Sequence, residues 1–455
     1  MMNLYDTATQ TVRPLAMRDP GTLSMYVCGP TVYGPPHIGH GRSTLAYDIL
    51  RRYLEWTGIT VRHVSNITDI EDKIIERAQR EGRPWQDITT KCEAIWWKAM
   101  DAMGILRPTD VPHATDYVPQ MVAMIGQLIQ GDNAYVTADG IYMAVGSVSD
   151  YGLLAHQRLE DMLSGGGDRQ VVGADHKRNS ADFALWKFTK PGEPSWPSPW
   201  GDGRPGWHSE CVVMSLDLLG DGFDLHTGGQ DLRFPHHENE RAQAVALGKR
   251  FANHWMHHEF VVDGEGEKLS KSLGNFTNLL DLVETADPRS YRLLLLQSHY
   301  RSPVQVNSTT TTAAERALAG LDAMARRAHG ANLELSTSDE TLLDAFRSRM
   351  DDDLDTANAM AIVFDAARRA NAAIDANRLG EAAVLAGTVV ELCRVVGLEL
   401  RITQDVPSEI LALAAQIDAS RAAKDFGAAD HVRASLQAEG WLVETTKQGT
   451  SVRRS

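Results

Sequence analysis

Short apolar runs alternate with amphipathic stretches over the first 115 residues of the chain. The run at residues 23–28 predicts a buried strand, and residues 60–64, which follow a stop at Gly58, predict a second strand. Between them, apolar residues recur at the spacing of a helix; they are Leu45, Ile49, Leu50, Tyr53 and Leu54. Strands that alternate with helices are typical of βαβ units on a parallel sheet.

A different pattern begins near residue 116 and lasts to about residue 200. A strand-like region at residues 141–145 and a glycine-rich stretch at residues 164–168 predict an insertion between two halves of the sheet. The sheet pattern resumes near Gly206 and predicts a strand at residues 223–226. From about residue 310, helical periodicity in Ala-, Leu- and Arg-rich sequence predicts a helical bundle, in which Thr356 is the N-cap of a helix, followed by a small tail.

Two polar motifs that lie far apart in the sequence could contact the same nucleotide. His37-Ile38-Gly39-His40 lies between the first predicted strand and the helix that follows. Free amides at a helix N-terminus favour a phosphate there, and Gly39 allows close approach. Lys268-Leu269-Ser270-Lys271-Ser272 places two ammonium groups on a Ser-rich loop that could fold over a triphosphate. Without the first motif, such a loop would more simply be solvated surface.

Composition adds limits to this picture. A chain of 455 residues exceeds what one hydrophobic core usually supports, so we expect several structural units. No apolar run reaches the roughly 18 residues that span a bilayer and no leader is visible, so we expect a cytoplasmic protein with no membrane partner. The net charge of -15 disfavours RNA on average, but the nearly balanced tail leaves RNA binding open. The four cysteines lie singly, which fits a reducing compartment; they are Cys28, Cys92, Cys211 and Cys393.

Longer segments around the two motifs resemble one family. They are MYVCGPTVYGPPHIGH at 25–40, NITDIEDKII at 66–75, PGWHSEC at 205–211, FPHHENE at 234–240 and EKLSKSLGN at 267–275. Together they are similar to the cysteinyl-tRNA synthetases, which are class I aminoacyl-tRNA synthetases, and the likeness continues through residues 350–359 to 421–433. Leu269 stands where the family usually has methionine, a swap that nearly conserves volume.

The resemblance implies an α/β fold, in which a Rossmann-like parallel-sheet catalytic domain with an insertion is followed by an α-helical bundle and a small C-terminal anticodon-binding domain. Taken with the patterns above, it implies that residues 1–115 and 201–310 form the catalytic domain and that residues 116–200 form the connective insertion. Residues 311–400 would then form the tRNA-binding bundle and residues 401–455 the anticodon-binding domain.

The resemblance also implies the reaction. The enzyme would activate L-cysteine with ATP to cysteinyl-adenylate and transfer it to the 3'-terminal adenosine of tRNA(Cys), with Mg²⁺ accompanying ATP and with the enzyme as a monomer. One alternative is the ATP-dependent cysteine:aminosugar ligase of mycothiol synthesis, which has no need of an anticodon domain at residues 401–455. Another is a non-catalytic tRNA- or zinc-binding relative, which the intact His37, His40 and Lys271 disfavour.

Cys28, Cys211, His236 and Glu240 are candidate ligands of one metal ion. His236 and Glu240 are four residues apart and would share a helix face, while Cys28 ends the first predicted strand. Spacing alone leaves another account open, in which HHENE is a polar helix start and both cysteines are core thiols. The resemblance implies one zinc ion per subunit, which would select cysteine because zinc prefers a thiolate to a hydroxyl. Since four protein ligands resemble a closed site, we expect the substrate sulfur to become a fifth ligand or to displace Glu240.

Further roles come from the resemblance alone. The catalytic and ATP-binding residues would be His37, Gly39, His40, Lys268 and Lys271, and the cysteine-binding residues would be Gly29, Thr68, Trp207 and Asp231. Core packing or strand-end capping is a serious alternative for Thr68. His208 could approach the same region, and His237 has no assigned role.

The tail carries the candidate tRNA contacts. Residues 421–441 predict one amphipathic helix, with Ala429, Val432 and Leu436 toward a core. Its candidate tRNA-binding residues are Arg421, Phe426 and Arg433. Phe426 could stack on an anticodon base, but core packing explains it equally well. Thr445 departs from the acidic residue that the family commonly has at this point.

Overall fold

The computed structural model describes residues 2–164, 176–263, 278–402, 407–446 and 449–454. Their strands are β1 Asn3–Asp6, β2 Thr11–Pro14, β3 Thr22–Val27, β4 Thr60–Ser65, β5 Ala134–Val136, β6 Gly140–Met143, β7 Phe183–Phe188, β8 Gly203–Pro205, β9 Leu225–Gly229, β10 His254–His258, β11 Val261–Val262, β12 Val304–Gln305, β13 Trp441–Thr446 and β14 Gly449–Arg454. Their α-helices are α1 Ile38–Trp56, α2 Asp72–Glu81, α3 Trp85–Ala102, α4 Val118–Gln130, α5 Leu159–Ser164, α6 Trp207–Leu218, α7 Glu238–Ala246, α8 Leu279–Thr285, α9 Pro288–Leu296, α10 Ser308–Gly330, α11 Glu340–Met350, α12 Thr356–Asp375, α13 Leu379–Val395, α14 Ser408–Ala422 and α15 Phe426–Ala438. The predicted loop with Lys268 and Lys271, and most of the glycine-rich stretch 164–168, lie outside the described residues.

A four-stranded parallel sheet forms the centre of the molecule. Its strand order is β10-β9-β3-β4, and Met25 on β3 aligns with His63 on β4 and with Leu225 on β9. Strands β9 and β10 are buried along their whole length, as expected of a parallel sheet covered by helices on both faces. The strands predicted at residues 23–28 and 60–64 are confirmed. The strand predicted at 223–226 begins two residues later, at Leu225, because the Asp224 amide donates to the Ser24 hydroxyl at 3.0 Å instead of joining the ladder.

A second, antiparallel sheet has the order β5-β6-β7-β8; its first three strands lie within the predicted insertion, and β8 lies just after residue 200. The strand predicted at residues 141–145 is found at Gly140–Met143. It ends early because the Val145 amide donates to the Asp182 carboxylate at 3.0 Å instead of joining the ladder. None of the helices in the described ranges is long and apolar enough to cross a membrane.

Helix α1 links the sheet to the helical bundle. Its N-cap is His37, whose ring accepts from the Gly39 amide, and the His40 ring accepts from the His37 amide to complete a capping box. Near its other end, Trp56 packs edge-on against Phe346 of α11, with ring centroids 6.2 Å apart. The buried Asp48 on its flank accepts from Arg292 of α9 at 2.5 Å. The helix predicted from its apolar spacing is therefore confirmed, together with its start.

Two helix boundaries in the C-terminal half differ from prediction. The N-cap of α12 is Asp355, whose carboxylate accepts from the Asn358 amide, and Thr356 is the first helical residue. The single helix predicted at residues 421–441 is wrong, because Lys424 adopts a positive φ of 60° and Asp425 caps a new helix, α15. The predicted inward face is present, with Ala429 and Leu436 buried in a small core and Val432 packed against it. Strands β13 and β14 form a hairpin over this core.

Candidate active site and metal centre

Four separate segments bring the candidate ligands together. Cys28 follows the last residue of β3, and Cys211 lies in the first turns of α6. His236 lies in the turn before α7, and Glu240 lies in the first turn of α7. The carboxyl ends of parallel strands meet at one edge of a sheet, where α/β proteins bind their ligands, so the loop after β3 faces this cluster.

The four candidate ligand atoms lie close together in space. They all lie within 4.8 Å of one another. The sulfurs of Cys28 and Cys211 are 3.7 Å apart, close to the edge of about 3.8 Å expected for two thiolates on a tetrahedral zinc ion with Zn–S bonds of about 2.3 Å. Cys211 Sγ is 3.8 Å from His236 Nε2, and His236 Nε2 is 2.7 Å from Glu240 Oε1. Of these three pairs, only the last would have to separate to admit a shared ion.

A second ligand set overlaps the first. It consists of Cys28, His226, His237 and Glu240, and its ligand atoms also lie within 4.8 Å of one another. His237 Nε2 is 3.3 Å from the Cys28 sulfur, while His226 Nε2 is 2.5 Å from Glu240 Oε2. Sequence reasoning missed His226 and left His237 open. The sequence offered one signal for His226, a polar residue inside an apolar strand. His226 has no motif spacing to the cysteines, so this signal did not point to the cluster.

Burial and mutual charge shift the protonation of the cluster. Burial alone would lower the pKa of His236, but the Glu240 carboxylate and the Cys211 thiol raise it to about 10. Burial alone would raise the pKa of Cys211, but hydrogen bonding with Cys28 and the nearby His236 lower it to about 6. The pKa of Glu240 is held well below its usual range, against its burial, by His236 and His226. Without an ion the cluster therefore holds a thiolate at Cys211 and a carboxylate at Glu240, which are forms that bind a metal cation, whereas His236 carries a proton that a bound ion would displace.

A cavity of about 300 Å³ opens beside the cluster and reaches the start of α1. Its wall includes Cys28, His37, Gly39 and His40. Both imidazoles accept backbone hydrogen bonds at Nδ1, so each neutral ring carries its proton on Nε2, where it can donate to a phosphate oxygen. The two rings stack with centroids 3.9 Å apart. A β-carbon on Gly39 would come within 2.9 Å of the His37 ring, so glycine keeps this helix start open.

The cysteine-binding residues named by resemblance divide into two groups. Gly29, Trp207 and Asp231 line the cavity. Trp207 is 36 % exposed and stacks on the His236 ring at 4.0 Å, so it can cover a side chain bound beside the candidate metal ligands. Thr68 is only 1 % exposed and lies behind this wall, where it donates to the Glu210 carboxylate at 2.8 Å. His208 approaches as expected, with its Nδ1 2.9 Å from His236 Nδ1.

The candidate tRNA residues lie far along the chain, on the tail. Phe426 begins α15 and is 57 % exposed. Arg421 is exposed near the end of α14. Arg433 is half-buried and donates to the Thr445 hydroxyl at 2.9 Å, so the residue that departs from the family pattern is still an acceptor for this guanidinium.

The sequence and the fold of the chain are both similar to those of known aminoacyl-tRNA synthetases. Residues 14–316 match the family model described as tRNA synthetases class I (C) catalytic domain, and residues 345–401 match the DALR domain. The cysteine--tRNA ligase of Halorhodospira halophila is 42 % identical over an alignment of 467 positions that covers 100 % of both chains. That of Lactococcus lactis subsp. cremoris is 38 % identical and covers 98 % of this chain and 99 % of its own. A Mycobacterium tuberculosis methionyl-tRNA synthetase in complex with methionyl-adenylate shares the fold, with a TM-score of 0.61 at 16 % identity over 82 % of this chain and 89 % of its own.

Proposed function

The chain belongs to the cysteine--tRNA ligase family of class I aminoacyl-tRNA synthetases, and from that premise we propose how its residues join cysteine to tRNA(Cys). The cysteine carboxylate attacks the α-phosphorus of ATP, pyrophosphate leaves, and cysteinyl-adenylate forms. A ribose hydroxyl of the terminal adenosine then attacks the adenylate carbonyl, and AMP leaves. No comparison favours the cysteine:aminosugar ligase, because the full-length relatives are cysteine--tRNA ligases.

The first ligand set is the proposed zinc site, with one ion per subunit. Cys28, Cys211, His236 and Glu240 would hold the ion, which when bound supplies a Lewis acid that takes the substrate thiolate in preference to a hydroxyl. The observation that carries this proposal is the 3.7 Å separation between the sulfurs of the half-buried Cys28 and the buried Cys211, within a cluster of nitrogen and oxygen donors. Shape alone would separate cysteine from serine by only about 1–3 kcal/mol.

Glu240 is the ligand best placed to yield to the substrate. Its Oε1 faces His236, while its Oε2 keeps a separate partner in His226 at 2.5 Å. A carboxylate that retains one buried partner can release an ion without becoming an unpaired buried charge. Release of Glu240 would therefore open a position for the substrate thiolate in a site that otherwise has four protein ligands. Trp207, stacked on His236, would then cover the thiol that enters.

The nucleotide binds at the start of α1 in this proposal. His37 and His40 donate from Nε2 to phosphate oxygens, and the helix N-terminus adds its partial positive charge. Lys271, with Lys268 as a second contact, would follow the charge that develops on pyrophosphate; both lie outside the described residues. Mg²⁺ would accompany the ATP phosphates.

The helical bundle and the tail are proposed to hold the tRNA. Residues 311–400 would support its body, and residues 401–455, with Arg421, Phe426 and Arg433, would contact the anticodon. Residues 1–115 and 201–310 would form the catalytic domain around the insertion at 116–200. The monomeric state and the cytoplasmic location expected from the sequence stay predictions.

The deciding experiment is exchange of labelled pyrophosphate into ATP by the purified full-length chain. We expect exchange that depends on cysteine, needs no tRNA and is at least a hundredfold weaker with serine. Charging of tRNA(Cys) should follow in the same preparation. Exchange that serine supports equally well would refute the zinc-based selection, and transfer of cysteine to an aminosugar but not to tRNA would refute the ligase assignment.

A further inference from the structure

Glu210 is a buried carboxylate next to the candidate metal ligands, and the proposed reaction does not use it. Glu210 lies on α6 between Trp207 and Cys211 and is 0 % exposed. In the part of the chain that the structure describes, it forms no ion pair, and its Oε1 has no hydrogen-bond partner. An unpaired buried carboxylate is costly, so its position calls for an explanation.

A chain of hydrogen bonds leads from Glu210 to the cavity wall. Glu210 Oε2 is 2.8 Å from the Thr68 hydroxyl, which is 3.1 Å from Asn66 Nδ2. Asn66 Oδ1 in turn accepts from the Gly29 amide at 2.8 Å. Glu210, Thr68 and Asn66 are each at most 1 % exposed, and Gly29 lines the cavity. These hydrogen bonds therefore connect α6, which carries Trp207 and Cys211, to Gly29 in the wall of the cavity.

The direction of every bond in this chain is fixed by its end at Gly29. A backbone amide can only donate, so Asn66 must present its oxygen to Gly29 and its NH₂ group to Thr68. Thr68 therefore accepts from Asn66, and its single proton must go to its other partner, Glu210. Position 210 consequently requires an acceptor.

The same chain determines which group Gly29 offers to a ligand. The Gly29 amide is already used by Asn66, and the Gly29 carbonyl accepts no hydrogen bond from the described residues. A β-carbon at Gly29 would lie 1.6 Å from the Asn66 carbonyl oxygen, so the two backbones are in direct contact and move together. A free carbonyl suits a substrate ammonium and is unfavourable for a carboxylate.

We infer that Glu210 is a positioning residue for the cysteine α-ammonium, and that it acts through Thr68 and Asn66 to hold the Gly29 carbonyl toward that group. This inference rests on the proposed function, because it assigns one end of the cysteine substrate to this wall. Thr68 then supports the site from behind. Since Glu210 is on the same helix as Cys211, these hydrogen bonds also set the distance between Gly29, which would contact the ammonium, and the metal ligand Cys211.

The test uses two thiol ligands that each lack one end of cysteine. Cysteamine keeps the thiol and the ammonium, and 3-mercaptopropionate keeps the thiol and the carboxylate. Both are measured as competitive inhibitors of cysteine-dependent pyrophosphate exchange by the zinc-loaded, full-length enzyme. In Glu210→Leu, which has no acceptor, we expect the KM for cysteine and the inhibition constant of cysteamine to rise about tenfold. The inhibition constant of 3-mercaptopropionate and the KM for ATP should change less than about twofold.

Two further variants keep the inference falsifiable if Glu210→Leu folds poorly. Glu210→Gln retains an acceptor oxygen for Thr68, so it should recover most of the cysteamine affinity. Ser215→Ala removes another buried hydrogen bond of α6, from the Ser215 hydroxyl to the Val212 carbonyl, and should leave both inhibition constants unchanged. Circular dichroism and zinc content are recorded for each variant.

The outcomes distinguish a positioning role of Glu210 from a general structural role. Equal weakening of both inhibitors in Glu210→Leu would show a general structural role and overturn the inference, as would a Gln variant as weak as the Leu variant. Normal cysteamine inhibition in the Leu variant would overturn it as well. If the unmodified enzyme itself failed to exchange pyrophosphate with cysteine, the proposed function would fail, independently of Glu210.

Discussion

The cluster of candidate metal ligands and the tail differ in how far their candidate functional residues are buried. Cys211, His236 and Glu240 are at most 1 % exposed, and each has charged or polar partners inside the protein. Phe426 is 57 % exposed at the start of α15. Buried charges must be paired where they are, so the fold sets the geometry of the cluster before any substrate arrives. An exposed ring can gain its contacts only from a partner, so its geometry depends on that partner.

Removal of one ligand should give the largest effect and decide between the two overlapping ligand sets. In His236→Ala we expect loss of bound zinc and a more than hundredfold fall in cysteine-dependent exchange, because a ligand of the ion is lost. In His237→Ala the ion should stay bound, with a loss of about tenfold, as for a residue that supports ligands from behind. Zinc content by atomic absorption and the exchange rate measure both. The opposite order would favour the set of Cys28, His226, His237 and Glu240.

Removal of the tail should separate the two regions functionally. Arg401 donates its amide to Asp322 at 2.9 Å, so the cut is best placed after Ile402. The shortened chain should keep cysteine-dependent exchange within about twofold. Its kcat/KM for tRNA(Cys) should fall by about a hundredfold or more, since contacts far from the reacting atoms position the RNA. A folded truncation that charged tRNA normally would contradict the anticodon-binding assignment.

Replacement of Phe426 by Ala should give a smaller loss of the same kind. Base stacking on an aromatic ring contributes about 1–3 kcal/mol, so kcat/KM for tRNA(Cys) should fall about 5- to 150-fold with normal exchange. Leu411→Ala is the matched control, because Leu411 is 53 % exposed on the neighbouring helix α14. Equal effects of the two variants would show that Phe426 has no special contact with RNA.

The smallest effect expected concerns a buried imidazole of the central sheet. Burial, aided by Arg51, lowers the pKa of His63 to about 3, against about 6.5 in an unfolded chain. The unfolded state therefore binds a proton first, and the free energy of unfolding should decrease as the pH falls from about 6.5 toward 3. At pH 5.5 the loss is about 1.4 kcal/mol. Urea unfolding at pH 7.5 and 5.5 should show a smaller difference for His63→Leu than for the unmodified chain; an unchanged difference would contradict this account.

The sequence predicted best those features that lie close together along the chain. The strand before Cys28, the helix start at His37 and the helical spacing of Leu45 to Leu54 are all local patterns, and all are found. The cluster of Cys28, Cys211, His236 and Glu240 came from family resemblance, and the structure brings these residues together.

Features that depend on contacts between distant residues could not be predicted. His226 comes close to Cys28 only because β9 lies beside β3, and Thr68 meets Glu210 across 142 positions of sequence. No spacing rule connects such pairs. The break between α14 and α15 was missed for a local reason, since the helical periodicity continues across Lys424 and Asp425 and hides the cap.

Helix α1 connects the bundle to the active site, so a movement at one end of the helix changes the position of the other end. It has 19 residues and is about 28 Å long, with the two imidazoles at one end and Trp56 on the bundle at the other. The Asp48–Arg292 pair fixes it along its length. A tilt of about 2° at the bundle would move the imidazoles by about 1 Å, a displacement large enough to cost about a hundredfold in rate. The stiffness of α1 therefore limits how far the helical bundle can move relative to the active site while the protein holds a large RNA.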